Sequence, residues 1–113
     1  MYKMQVQERA INATEQGDLD DLNTAIKLGA NINEVPWGTE SLLMRAIRCG
    51  HEEVAKYLIS AGIDVNYIYV KSDSPREATG DRHETARDYA EFYKMHHVLE
   101  MLNAKQAAQS QSP

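Results

Sequence analysis

With one cysteine, Cys49, the chain cannot form an internal disulfide. It also has no apolar run near the roughly 18–20 residues that a membrane span requires. The opening stretch, MYKMQVQERA, is polar and helical in character, unlike a secretory signal. A reducing, cytoplasmic location is therefore expected, and the Asn12-Ala13-Thr14 sequon is then idle. Basic charge is in deficit: 12 Lys and Arg against 17 Asp and Glu leave a net −5. Nucleic acid and anionic membranes both need a basic face, so neither is an expected partner. A basic protein is favoured instead, because opposite net charge speeds encounter.

The signatures of catalysis are missing too. There is no glycine-rich phosphate loop and no G-x-S-x-G elbow. Of the four histidines, His96 and His97 are adjacent and point about 100° apart on a helix, so they cannot share one metal. His51 and Cys49 are two residues apart, too little to define a reactive thiol. Glu52 and Glu53 fit a helix first turn, where the helix dipole favours negative charge. The chain is expected to be no enzyme and to carry no cofactor or metal.

What is present is a soluble globular composition, 42% apolar and 26% charged, over a length that suits one domain. The chain also repeats itself. An offset of 33 pairs Ala13 with Ala46, Gly17 with Gly50, Ile26 with Ile59, Gly29 with Gly62, Ile32 with Val65 and Asn33 with Asn66. An offset of 44 then pairs Ala46 with Ala90, Val54 with Val98 and Leu58 with Leu102. The difference, 44 − 33, marks an eleven-residue insertion between Asn66 and Thr85. Lys94 stands where the earlier units have Gly17 and Gly50.

Each unit reads as two short helices. Ser41 caps Leu42–Arg48, Gly50 breaks the chain, and Val54, Ala55, Leu58 and Ile59 form an apolar stripe that Gly62 ends. Asp18 caps a helix in the first unit and Thr85 caps one in the third. So small a helix pair cannot bury its stripe alone, but a stack of such pairs can. The end units should then be polar outside, through Asn12, Asn23 and Thr24 at one end and Glu91, His96 and Glu100 at the other.

The second unit, SLLMRAIRCGHEEVAKYLISAGIDVN, resembles the ankyrin repeat, T-P-L-H-x-A-x-x-G-H-x-x-V-V-x-x-L-L-x-x-G-A-D-V-N. The first unit resembles the latter part of that pattern, and ETARDYA resembles a degenerate final repeat. The resemblance covers roughly residues 8–102. Met44 and Asp88 replace the family's T-P-L-H histidine, so part of the hydrogen-bond network expected there is absent or replaced. An all-α ankyrin stack of about three repeats is implied, with an extended loop between the second and third. The repeat domain spans 1–103, in units of about 4–33, 34–66 and 67–103 with the insertion at about 67–83. Residues 104–113 read as a disordered tail.

Ankyrin arrays bind proteins through loop tips and the concave face of their first helices. Carried over, the resemblance implies exposed tips at Trp37, Gly38 and Glu40, and concave positions at Glu15, Gln16, Arg48, Cys49, Phe92 and Tyr93. Trp37 has two readings, an interface anchor or a cover for the seam between the first two units. The insertion, with Tyr67, Tyr69 and Arg76, reads as an extended finger that either touches the partner or is a tolerated solvated loop. The expected function is protein binding by a monomer, as a small inhibitor or immunity-type or anti-defence protein of a basic protein or enzyme. The alternative is a stand-alone adaptor with several peptide partners.

Overall fold

The computed structural model describes residues 2–35, 39–71 and 82–110. Six helices and one hairpin follow in order: α1 (Tyr2–Gln16), α2 (Leu19–Lys27), α3 (Leu42–Arg48), α4 (Glu52–Ser60), β1 (Tyr69–Lys71), β2 (Arg82–Glu84), α5 (Ala86–Phe92) and α6 (His96–Ser110). The first helices of the pairs, α1, α3 and α5, lie side by side in one layer. The second helices, α2, α4 and α6, form the layer behind.

Local chemistry sets the helix ends. The side chains of Asp18 and Ser41 accept from the backbone N–H of Asp21 and Met44. Thr85 and Asp88 form a reciprocal capping box at the start of α5. Asp88, which replaces the histidine of the repeat pattern, therefore has a structural use of its own. At the C-terminus of α3, the Gly50 N–H bonds the Ile47 carbonyl and the His51 N–H bonds that of Ala46. Such a double return needs one residue in the left-handed region, and Gly50 has φ +80°. Lys94 fills the same place after α5 at φ +59°, the one non-glycine residue with positive φ among those described.

The core runs through the whole stack. Ala13, Ala46 and Ala90 are buried at equivalent positions, where a small side chain lets the first helices approach. Leu22, Ala25, Val54, Ala55, Leu58, Val98 and Leu102 fill the seam between the layers. Burying each large aliphatic contributes roughly 1.5–3 kcal/mol. In the third unit the outward positions turn polar: Arg87 and Glu91, paired at 3.7 Å, replace the buried Leu43 and Ile47. A stack that ends in water needs such a face.

Three expectations need correction. Asn23 does not lie on a polar outer face, because its side chain accepts a 2.9 Å hydrogen bond from Tyr57 Oη in the next unit. The stretch read as a disordered tail from residue 104 continues α6 through Ser110, its alanines and glutamines being compatible with a helix. Tyr67 and Tyr69 in the insertion are half-buried against the core, while Ile68 and Val70, which follow them in turn, are exposed. Within β1 the period of two turns Tyr69 in and Val70 out, and β1 pairs antiparallel with β2, Val70 opposite His83.

Candidate binding face

The open face belongs to the first-layer helices. Glu15, Arg48 and Phe92 occupy one equivalent position in α1, α3 and α5, and Gln16, Cys49 and Tyr93 the next. The residues just before Glu15 and Arg48, Thr14 and Ile47, are buried, so α1 and α3 direct one flank inward and leave the other free, whereas Glu91 before Phe92 is exposed. Along the face, chemistry changes from carboxylate to guanidinium to aromatic ring.

A continuous polar network holds Glu15 and Arg48 in place. Arg45 donates to Glu15 at 3.1 Å and to Thr39 Oγ1 at 3.0 Å. Arg48 donates through Nε to Glu40 at 2.9 Å, and its Nη2 lies 3.7 Å from Glu15. Tyr89 Oη donates to the same Glu40 carboxylate at 2.8 Å. The network therefore links all three units. Arg45 Nε is buried without a hydrogen-bond partner, so this guanidinium is held by its two terminal nitrogens alone.

The titration behaviour follows from these contacts. Burial pushes the Glu40 carboxyl upward, but hydrogen bonds from Arg48 and Tyr89, with the charges of Arg48 and Arg45, hold it below its ordinary value. Burial, then the bond to Glu40 and its charge, push Tyr89 far above the usual phenol range. The hydrogen bond to Glu40 raises Arg48 further still. All three groups keep their neutral-pH charge states.

The residues assigned from sequence divide by environment. Arg48, Phe92 and Tyr93 are exposed on the face, and Cys49 is half-buried there at the end of α3. Glu40 is not the exposed tip expected of it. Its side chain is 14% exposed and is committed to Arg48 and Tyr89. Tyr67 likewise turns inward and donates to the Thr39 carbonyl at 2.7 Å, and Tyr69 packs on the core. Trp37, Gly38 and Arg76 lie outside the described residues. Sequence reasoning missed Arg45 and Tyr89, although the 44-residue offset that pairs Ala46 with Ala90 also pairs these two.

A family model described as ankyrin repeats, many copies, matches residues 9–68. This chain belongs to the ankyrin repeat family. The crystal structure of an ankyrin repeat domain from Acinetobacter baumannii AYE superposes with a TM-score of 0.65 at 22% identity, covering 84% of this chain. The match spans 45% of that longer domain, so the likeness concerns the fold. No curated protein matches the sequence. Ankyrin repeats are in general protein–protein interaction modules. Among the described residues, no helix is long and apolar enough to cross a membrane.

Proposed function

We propose that this ankyrin array captures a segment of another protein on the face formed by Glu15, Arg48, Cys49, Phe92 and Tyr93, and that it works as a small inhibitor. It acts as a cytoplasmic monomer without catalysis of its own, by covering a functional surface of a basic enzyme or toxin. Trp37 and Arg76 contribute to the same contact. The observation that supports this reading most is the Glu15–Arg45–Arg48–Glu40–Tyr89 network beneath the open face. A surface held in one conformation before binding loses less side-chain entropy on association. The net charge of −5 supports a basic partner.

Co-purification with the intact chain followed by mass spectrometry tests this. One stoichiometric enzyme, released progressively by salt and inactive while bound, is the expected result. Several unrelated partners recovered at similar levels would favour an adaptor.

A further inference from the structure

Phe92 is the most exposed large apolar side chain among the described residues, at 78%. It is not an isolated ring. Phe92 and Tyr93 meet edge to face with centroids 4.9 Å apart, and Tyr93 lies 6.2 Å from the ring of Tyr89. Tyr89 is buried and hydrogen-bonded to Glu40. Three rings thus connect the open surface to the core, and the outermost is presented to solvent on a helix whose start is fixed by a capping box. Rigid aromatic surfaces of this kind dominate binding energy where they are found, because ordering them costs little entropy.

Beside this ledge, charge is already matched. Arg45 and Arg48 are shared between Glu15 and Glu40, two cations against two carboxylates. Those matched pairs favour neither sign of partner, whereas the chain as a whole attracts a cation through its net −5. We infer that the Phe92–Tyr93 ledge seats one large apolar side chain carried on a lysine- or arginine-rich segment of the partner. The apolar group supplies the anchor, and the flanking basic groups supply steering and sign selectivity. This rests on the binding face proposed above and adds the chemistry of what binds there.

The test is selection of random peptides displayed on phage against the intact chain. Enriched peptides should carry an aromatic or long aliphatic residue within a basic context. They should bind the Phe92→Ala variant at least ~10-fold more weakly. Phe92 lies outside the core, so the melting temperature of that variant should be unchanged. Peptides that are acidic, or that bind Phe92→Ala as tightly as the parent chain, would overturn the inference, as would failure to enrich any peptide. Peptides blocked by Cys49→Trp but indifferent to Phe92→Ala would discard the ledge and leave the face intact. Indifference to both changes would discard the two together. Self-association of the chain that Phe92→Ala abolishes would assign the ledge to a second copy and overturn the proposal.

Discussion

His51 Nε2 lies 2.9 Å from the carbonyl oxygen of Glu15, so one side chain of the second unit completes the helix end of the first. Glu15 is in the last turn of α1, where carbonyls have no intrahelical partner. A carbonyl can only accept, so this nitrogen carries a proton. The ring pays for the contact by leaving α4 without a side-chain cap, although His51 holds that position. Gly17 completes the arrangement: a Cβ there would lie 2.5 Å from His51 Nδ1, and its φ is +75°.

Gly17→Ala should therefore combine a left-handed-backbone penalty of about 1–2 kcal/mol with overlap against the imidazole. His51→Ala should cost about 0.5–1.5 kcal/mol through the lost bond. In a double-mutant cycle the two should not add, because removing the ring relieves the overlap. Denaturant melts giving simple additivity would refute the contact.

Lys94→Gly should stabilise the chain by about 0.5–1 kcal/mol, because Lys94 holds φ +59° in the turn where the earlier units use glycine. A thermal melt should rise by several degrees, and a fall would show that the lysine side chain contributes more than its backbone costs.

Leu58→Ala removes a fully buried side chain from the middle repeat, the one that both neighbours lean on. A loss of about 2–5 kcal/mol is expected, a large share of the stability of so small an array. An unchanged melting temperature would contradict the stack.

Acid should weaken the junction between the second and third units. The folded pKa of Glu40 lies below its ordinary value of 4.5. Its contribution is therefore fully present above that ordinary value and is lost as pH falls through the depressed one. Glu40→Gln should be less stable than the parent at pH 7 and flatter in its pH dependence below about 4.5. Parallel stability curves for the two proteins would show that the carboxylate does not matter.

The helical repeat was legible because its signals are local. Ser41, Asp18 and Thr85 cap helices as read, and the alanine and branched apolar positions at the two offsets form the core or, at Ile26 and Ile32, pack against it. The binding face was less legible, for a physical reason. Glu40 precedes a helix and so looks exposed, yet Arg48, eight residues on, and Tyr89, forty-nine residues on, draw it inward. Tyr67 and Tyr69 have the composition of a free aromatic finger, but strand alternation turns Tyr69 toward the core and a hydrogen bond to the Thr39 carbonyl draws Tyr67 in. Contacts between residues tens of positions apart leave no local trace. The 44-residue register was the available clue, and it pointed to Arg45 and Tyr89.

The most direct measurement is the affinity of the co-purified partner for Gln16→Trp and Cys49→Trp. Both positions lie on the open face, and neither side chain takes part in the polar network. If the face is where the partner docks, each bulky side chain should lower affinity by ~10-fold or more while the helical circular dichroism stays the same. Unaltered affinity in both variants would contradict the account.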